Sequence, residues 1–271
     1  MNVLITGSAG YIGNYFTKKI ASKNPTTNFI CIDNLNSYYD KRIKNFRVKQ
    51  LKIIKNVKFF KMDIKDKRKV NILFKKYKFK EVYHFAAQAG VRYSEINPQA
   101  YIDSNITGFS NIIEASKKGE INKFFYSSSS SVYGDYKNSP FKEQDKLKPK
   151  SLYALTKKFN EDLAKIYFEN YRFKSIGLRF FTVIGESGRP DMLINKYLDA
   201  SFNKRKFYLN NYGRGERDFT YIDDVVDVIL KLRKKYIKKN EIFNICGNKT
   251  TKIQSVLKIL ENEAPKLNII H

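Results

Sequence analysis

The chain has 271 residues, enough for one large α/β domain with a smaller appendage and too few for two independent large domains. Its formal net charge of +26 is typical of proteins that bind nucleic acid or membranes, but the lysines are spread along nearly the whole chain, so we expect a solvated basic surface and no specific nucleic-acid partner. The two cysteines lie far apart in apolar runs, and no apolar run reaches the length of a membrane span, about 18 residues, so we expect no metal site, no disulfide framework, no membrane partner and a cytoplasmic location.

Strand-like and helix-like segments alternate along most of the chain, which predicts a parallel sheet with crossover helices. The predicted strands are 1–5, 28–32, 57–61, 81–85, 123–127 and 175–179. The predicted helices between them are 11–23, 39–51, 66–77, 98–118 and 151–171. A further helix near 224–236 and a strand near 241–246 return to the main sheet. The fold class that we expect is α/β with a doubly wound parallel sheet.

No linker rich in proline and glycine divides the chain, so we predict that a second domain is built from insertions. The main domain is predicted to comprise residues 1–180, completed by 222–247. A small domain is predicted to comprise 181–221 and 248–271.

A turn with three glycines, Gly7, Gly10 and Gly13, follows the first predicted strand and precedes a helix. Glycines there let the backbone bend sharply and let main-chain N–H groups approach a phosphate without a Cβ in the way. The helix that opens near Tyr11 points the positive end of its dipole at a bound anion. Such a triplet also occurs in ordinary tight turns between a strand and a helix, so further evidence is needed.

That evidence is an acid at the end of the second apolar run. Asp33 lies about twenty residues past Gly13, the spacing at which a carboxylate binds the 2′-hydroxyl of an adenosine ribose. A carboxylate at this point repels a 2′-phosphate. The sequence therefore predicts a Rossmann-type domain that binds NAD rather than NADP.

Tyr153 and Lys157 are four residues apart at the start of a predicted helix, so their side chains share one face. A phenol has a pKa of about 10 and is a poor base at neutral pH. A neighbouring ammonium, a cationic nicotinamide ring and a helix N-terminus all favour the phenolate. A tyrosine and a lysine at this spacing are common by chance. Their position after the fifth strand of a dinucleotide-binding fold favours a catalytic role for the pair.

Five consecutive serines, 127–131, follow the apolar residues of that fifth strand. A low-complexity linker has the same composition. The flanking apolar residues instead indicate the carboxyl end of a strand, where open α/β sheets bind ligands. A serine hydroxyl there can bind a sugar hydroxyl and share its proton with the tyrosine. His84, at the end of another apolar run, is interpreted as a core residue.

These motifs resemble the extended short-chain dehydrogenase/reductase superfamily with its NAD-dependent epimerases and dehydratases, and within it the UDP-glucuronate 4-epimerases. The matching stretches run in the family's order over essentially the whole chain. They are Gly7–Gly13, Asp33–Asp40, Ala86–Ser94, Ser127–Gly134, Ser151–Lys158, Leu178–Val183, Gly188–Met192 and Arg217–Asp224.

The resemblance implies 4-epimerisation of a UDP-sugar, most closely of UDP-glucuronate to UDP-galacturonate, by transient oxidation at the 4-position. Tyr153 as phenolate takes the proton of the sugar's 4-hydroxyl while hydride passes to NAD, and hydride returns to the other face after the keto sugar turns over. Lys157 lowers the pKa of the tyrosine and binds the nicotinamide ribose, and Ser129 is the hydroxyl partner. A homodimer through the helices 98–118 and 151–171 is also implied.

The resemblance further implies two sets of binding residues. The cofactor set is Gly7, Gly10, Tyr11, Ile12, Gly13, Asp33, Asn34, Asp63, Ile64, Ala86, Ala87, Gln88, Ser104, Ser127, Tyr153, Lys157 and Phe181. The substrate set is Arg92, Ser129, Ser130, Thr182, Arg189 and Arg217. A guanidinium fork suits a diphosphate or a glucuronate carboxylate, although any single arginine of so basic a chain also has a solvated surface role open to it.

Related activities differ just before the Val-Tyr-Gly motif. Dehydratases carry Asp-Glu there and UDP-glucuronate decarboxylases carry Glu, whereas this chain has Ser130 and Ser131. Epimerisation requires no carboxylate at these positions. Two alternatives to a UDP-glucuronate 4-epimerase stay open. One is an epimerase of a neutral UDP-sugar, and the other is a truncated, non-catalytic protein that binds NAD and UDP-sugar.

The end of the chain departs from the family pattern. Family members run several dozen residues further, and this sequence stops at His271, where residues 266–270 predict the start of a strand. We therefore expect the small substrate-binding domain to be incomplete.

Overall fold

The computed structural model describes residues 1–134, 140–265, 267 and 269–270. The chain forms two compact units. The first comprises Met1–Phe180 and Val226–Ile245, and the second comprises Phe181–Val225 and the described residues from Cys246 onward. No helix in the described ranges is long and apolar enough to span a bilayer.

The strands in chain order are β1 (Asn2–Thr6), β2 (Asn28–Asp33), β3 (Val57–Lys61), β4 (Glu81–His84), β5 (Lys123–Ser129), β6 (Ile176–Phe180), β7 (Thr182–Ile184), β8 (Phe207–Tyr208), β9 (Glu216–Tyr221), β10 (Glu241–Ile245), β11 (Thr250–Lys252) and β12 (Ile269–Ile270). The helices are α1 (Tyr11–Lys23), α2 (Lys41–Lys52), α3 (Lys67–Tyr77), α4 (Tyr93–Ile96), α5 (Pro98–Tyr101), α6 (Phe109–Lys118), α7 (Leu152–Tyr171), α8 (Leu193–Phe202), α9 (Ile222–Lys234) and α10 (Ile253–Glu263).

The first unit contains a seven-stranded sheet in the order β10-β6-β5-β4-β1-β2-β3, in which every pair of neighbours is parallel. The chain places β2 and β3 on one side of β1. It places β4, β5 and β6 on the other side. The order therefore reverses between β1 and β4, which creates a crevice at the carboxyl ends of these two strands. The predicted doubly wound parallel sheet is confirmed.

Burial explains why these segments form strands. The side chains of Val3, Leu4 and Ile5 in β1 are fully buried, because helices cover both faces of a parallel sheet. The core beneath the sheet is aromatic, and the Phe109 ring packs edge-on against Phe124 and Tyr126.

Polar caps set the starts of three helices. The Asp40 side chain accepts a bond from Arg42 N at the start of α2, and the Asp66 side chain accepts one from Lys69 N at the start of α3. The Ser151 hydroxyl accepts a bond from Ala154 N at the start of α7, at 3.1 Å. Each cap satisfies a main-chain donor that the first helical turn leaves open.

The predicted helix 98–118 is interrupted in the structure. A π-helical segment, Ile102–Gly108, separates α5 from α6. Its last residue packs so tightly that a Cβ on Gly108 would lie 2.5 Å from Ile64 Cδ1. A wider turn of this kind changes the register of the helix, and Asn105 of the segment is buried. Periodicity alone did not predict this break.

The second unit contains two small sheets. In one, β9 pairs with β7 in parallel and with β11 in antiparallel orientation, and in the other β8 pairs with β12 in parallel. Helices α8 and α10 share a separate core built on Tyr197, Phe207 and Leu257. β12 lies within the strand predicted at 266–270; Lys266, Asn268 and His271 lie outside the described residues.

Candidate active site

The glycine turn joins β1 to α1 through backbone that has no room for side chains. Gly7 has a φ of +69°, and a Cβ on it would lie 2.6 Å from Ala86 N. A Cβ on Gly13 would lie 2.3 Å from the Gly7 carbonyl oxygen, and one on Gly10 would lie 3.0 Å from the same atom. Tyr11 and Ile12 begin α1 directly after the turn. The N-terminus of α1 therefore presents bare main chain at the carboxyl end of β1, as an anion site requires.

Asp33 ends β2 beside this turn. Its Oδ2 accepts a hydrogen bond from Ala9 N at 3.1 Å, and its Oδ1 accepts one from Leu35 N at 2.8 Å. Burial raises the pKa of Asp33, while these two bonds and the positive charges of Lys44 and Arg47 lower it in part. The acid is thus held in one position against the glycine turn.

The structure also groups three other predicted cofactor residues after β2 and β3. Asn34 Nδ2 donates to Asp63 Oδ2 at 3.2 Å, and the Ile64 side chain is buried against Gly108.

Two basic residues of α2 were missed by the sequence analysis. Lys44 Nζ donates to the main-chain oxygen of Asn36 at 3.0 Å and lies 4.8 Å from the centre of the Tyr39 ring. Arg47 Nη1 donates to Ala9 O of the glycine turn at 3.2 Å and to Tyr39 Oη at 2.8 Å. Both side chains are buried, which is unusual for cations. Their i, i+3 spacing beside the Asp33–Asp40 motif was the available signal, and it was hidden among 52 lysines and arginines.

Asn105 connects the loop after β4 to α7. Its Oδ1 accepts from Gln88 N at 2.8 Å, and its Nδ2 donates to Gln88 O and to Thr156 Oγ1, both at 3.0 Å. Its main-chain oxygen accepts from Asn160 Nδ2 at 2.6 Å. The buried asparagine thus fixes the predicted cofactor residue Gln88 relative to the helix of Tyr153 and Lys157. Sequence reasoning missed it.

The neighbouring predicted cofactor residues lie on the same segments. Ala86 N donates to Thr6 Oγ1 at 3.1 Å, Ala87 follows it in the loop after β4, and Ser104 precedes Asn105 in the π-helical segment. His84 is buried, and its Nδ1 lies 2.8 Å from Thr6 Oγ1. Burial, helped by the charge of Lys157, lowers the pKa of His84 to about 3, so this side chain is a neutral core residue.

Tyr153 and Lys157 lie one turn apart at the start of α7. Lys157 is buried, and its Nζ donates to the main-chain oxygen of Ser127 at 2.9 Å. Burial lowers the pKa of Lys157 to about 7, and the Glu161 carboxylate opposes that shift. The half-buried Tyr153 packs edge-on against Tyr101 with ring centres 6.1 Å apart. The Lys157 amine therefore lies at the carboxyl end of β5, and Tyr153 lies one turn before it on α7.

The serine run forms the end of β5 and a 3₁₀ turn. Ser127 and Ser129 belong to the strand, and Ser130 begins the turn. Ser129 Oγ accepts from Ser131 N at 3.2 Å and lies 3.1 Å from Ser131 Oγ. The structure thus brings Ser127, Ser129 and Lys157 to one strand end.

The remaining predicted residues are more scattered. Arg92 is exposed before α4 in the first unit. In the second unit, Phe181 and Thr182 lie at β7, and the exposed Arg217 of β9 donates through Nη1 to Glu216 O at 2.7 Å. Arg189 Nε donates to Asp191 Oδ1 at 3.0 Å, and its Nη2 also bonds to that carboxylate. Asp191, which orients this arginine, was not predicted.

The chain is similar in sequence to known proteins. Residues 3–246 match the NAD dependent epimerase/dehydratase family. The chain is 36% identical over 260 residues to the UDP-glucuronate 4-epimerase of Thermodesulfobacterium geofontis, and the match covers 95% of this chain and 79% of that protein.

Solved structures are also similar. The UDP-glucuronic acid 4-epimerase from Bacillus cereus in complex with UDP-glucuronic acid and NAD has a TM-score of 0.91 and 30% identity, over 100% of this chain and 86% of that one. The UDP-glucose 4-epimerase from Thermotoga maritima with UDP-glucose has a TM-score of 0.88 and 27% identity, over 100% of this chain and 85% of that one.

Asn105→Ala tests the connection between Gln88 and α7. The variant leaves the main-chain N–H and carbonyl of Gln88 without their Asn105 partner, so we expect a loss of about 2–4 kcal/mol in the free energy of unfolding, measured by urea denaturation. Asn111→Ala is the matched control, because Asn111 Nδ2 also bonds to main-chain oxygens but is only half-buried. A loss for Asn105→Ala no larger than that of the control would contradict the assigned role.

Proposed function

Because the chain belongs to the NAD dependent epimerase/dehydratase family, we propose that it converts UDP-glucuronate to UDP-galacturonate by epimerisation at carbon 4. It is an NAD-dependent nucleotide-sugar epimerase. The contact between Lys157 Nζ and Ser127 O is the observation that most supports the proposed mechanism, since it holds a potential ammonium beside the serine run. The 36% sequence identity to the UDP-glucuronate 4-epimerase of Thermodesulfobacterium geofontis, over 95% of this chain, supports the choice of sugar.

The residues around the glycine turn fit NAD. The turn at Gly7, Gly10 and Gly13 leaves the main chain bare at the N-terminus of α1, which suits a diphosphate. The Asp33 carboxylate is held beside that turn, which suits an adenosine ribose with a free 2′-hydroxyl. When bound, NAD supplies an acceptor for the hydride from the sugar carbon and a donor that returns it.

Three side chains of the first unit carry the proposed proton chemistry. Tyr153 as phenolate takes the proton of the 4-hydroxyl, and it gives a proton back when the carbonyl is reduced on its other face. Lys157 as ammonium favours the phenolate and binds the nicotinamide ribose. Ser129 binds the reacting oxygen. Each proton and hydride that leaves the sugar returns to it, so the net reaction is an isomerisation.

The serine run also supports epimerisation over elimination. Elimination of water from a sugar nucleotide needs a carboxylic acid and a carboxylate beside the tyrosine, and this chain has Ser130 and Ser131 at the corresponding positions.

We assign the sugar nucleotide to Arg92, Ser130, Thr182, Arg189 and Arg217. Guanidinium groups bind diphosphates and carboxylates through paired hydrogen bonds. Three of these residues belong to the second unit, so the second unit is the proposed substrate-binding domain. The resemblance to the family assigns Asn34, Asp63, Ile64, Ala86, Gln88 and Phe181 to the cofactor.

A neutral UDP-sugar is the second candidate substrate. The likeness to the UDP-glucose 4-epimerase of Thermotoga maritima favours it. The ratio of kcat/KM for UDP-glucuronate to that for UDP-glucose separates the two candidates, because a site with cationic partners for the carboxylate favours the charged sugar.

UDP-glucuronate mixed with the purified protein is expected to yield UDP-galacturonate without added reductant, as followed by NMR. Tyr153→Phe removes the proton acceptor and is expected to lower kcat by at least about a thousandfold. Tyr236→Phe is the matched control, because Tyr236 is 73% exposed. Bound NAD together with unchanged sugar in the wild-type protein would contradict the proposal.

Asp33→Asn is expected to weaken NAD binding about tenfold or more and to reduce the preference for NAD over NADP, because it removes the negative charge that repels a 2′-phosphate. Calorimetry with both cofactors measures the change. Asp227→Asn is the control, because Asp227 pairs with Lys19 on the surface at 3.0 Å. Equal preference for NAD in Asp33→Asn and wild type would show that the acid does not contact the ribose.

We also propose a homodimer through the helical segment 98–118 and α7. Leu155 and Ile166 are 54% and 46% exposed, and they lie on one face of α7 because eleven residues make about three turns. Sedimentation equilibrium is expected to give about twice the 31.8 kDa of one chain, and Leu155→Lys is expected to shift the protein toward the monomer. A monomeric wild type at micromolar concentration would contradict this assembly.

A further inference from the structure

Glu161 is a buried carboxylate one helical turn beyond Lys157, and the proposed mechanism gives it no role. The two residues are at i and i+4 on α7, so they share a face. Glu161 Oε1 accepts from Arg179 Nε at 2.9 Å, and Oε2 accepts from Arg179 Nη2 at 2.7 Å. The side chains of Glu161 and Arg179 are only 7% and 4% exposed. A buried ion pair such as Glu161–Arg179 adds little net stability to the fold, because removing both charges from water is costly. The position of the pair beside the serine run therefore suggests a functional role.

Glu161 also contacts the serine run. Ser128 Oγ donates to Glu161 Oε1, while Lys157 Nζ donates to the main-chain oxygen of Ser127. Two successive serines of β5 are therefore bound by two residues one turn apart on α7. Ser129 follows directly, so its position relative to Lys157 depends on both bonds.

Arg179, the other member of the ion pair, is hydrogen-bonded directly or through Tyr133 to three further segments. Arg179 Nη1 donates to Tyr133 Oη at 2.7 Å and to Glu143 O at 3.0 Å. Tyr133 Oη in turn donates to Asn244 Oδ1 at 2.7 Å. Arg179 is thereby fixed by β10 and by the segment after the serine run, and it orients the Glu161 carboxylate.

We propose that Glu161 is a positioning residue for the epimerisation: it holds the serine end of β5 against α7 and places a negative charge one helical turn from the Lys157 amine. This inference rests on the proposed function, in which Lys157 acts as an ammonium.

The groups that face this site support the electrostatic part. Tyr153 shares the helix face with Lys157, and His84 of β4 is close enough to feel its charge but is neutral at physiological pH. Arg179 of β6 and Tyr126 of β5 face Glu161. Burial lowers the pKa of Lys157 to about 7, and Glu161 is the group that raises it. Loss of this carboxylate would leave Lys157 neutral in most molecules at pH 7.

Glu161→Gln is the primary variant, and the chain offers a matched control at the opposite ends of the strands. Glu81, at the start of β4, is also buried and also accepts from one arginine and one hydroxyl, Arg233 Nε at 2.8 Å and Tyr83 Oη at 3.0 Å. Glu81→Gln removes a similar pair far from the serine run, so it reports the effect of a lost buried charge alone.

The first measurement is an NMR titration of the Lys157 amine in ¹⁵N-lysine-labelled full-length protein, with the signal assigned by its loss in Lys157→Met. Glu161→Gln is expected to lower the protonated fraction of Lys157 at pH 7 roughly fivefold, as loss of an adjacent opposite charge shifts a pKa by about one. Glu81→Gln is expected to leave the titration unchanged. This measurement needs no substrate, so it decides the electrostatic role even where the proposed activity fails.

The second measurement is steady-state kinetics with UDP-glucuronate. Glu161→Gln is expected to lower kcat at least about tenfold while KM changes less than about threefold, because the effect acts on the ammonium and the serine rather than on sugar binding. Ser128→Ala keeps the ion pair and is expected to give a smaller loss of kcat with no change in the Lys157 titration. An inactive wild-type protein would overturn the proposed function and not the role of Glu161 in the titration.

A variant that fails to fold is replaced by Glu161→Gln combined with Arg179→Gln, which leaves neither charge of the pair without its partner. The double variant is expected to keep the lowered protonation of Lys157. An unchanged Lys157 titration together with a loss of kcat no greater than that of Glu81→Gln would overturn the inference and assign Glu161 a purely structural role.

Discussion

Burial of the Lys157 amine at the end of β5 is the constraint on which the rest of the site depends. A cation taken out of water is costly unless fixed partners surround it, and here its partners come from two elements. The Ser127 carbonyl receives its hydrogen bond, and the Glu161 carboxylate lies one turn along the same helix. Because the bond to Ser127 requires α7 to lie in one position on β5, the burial of one amine sets the geometry between the serine run and Tyr153.

The geometry of the glycine turn follows from a different constraint, which is steric. A Cβ on Gly7 or Gly13 would collide with main-chain atoms, so the turn keeps the start of α1 close to β1. Asp33 and Arg47 each bond to Ala9 within that turn and fix it from β2 and α2. The turn lies where the strand order reverses, and β5 is only one strand beyond β4. Sheet topology therefore brings the glycine turn and the Tyr153–Lys157 pair to the same edge of one sheet, where we propose that the diphosphate of NAD binds and proton transfer occurs.

The sequence predicted those parts of the structure that depend on local pattern. Apolar runs gave the strands of the main sheet, and glycine spacing gave the turn. Asn105, Glu161 and Arg179 were beyond sequence reasoning, because each acquires its role from partners 17 to 55 residues away in the chain. The π-helical segment lies inside a run that we predicted as one continuous helix, and the close packing of Gly108 against Ile64 there comes from residues far apart in the chain. The short strands of the second unit lacked periodic signal, since strands of two or three residues are too short to show alternation.

We propose that carbon 4 of the sugar is oxidised and then reduced again within one site, with Tyr153 handling only the proton. UDP-glucuronate carrying deuterium at carbon 4 tests it directly. We expect the UDP-galacturonate formed to keep the deuterium at carbon 4, as read by NMR and mass spectrometry. Loss of that deuterium to solvent water during turnover would rule out this mechanism, because it would mean that the carbon is inverted by proton exchange and not by return of the same hydride.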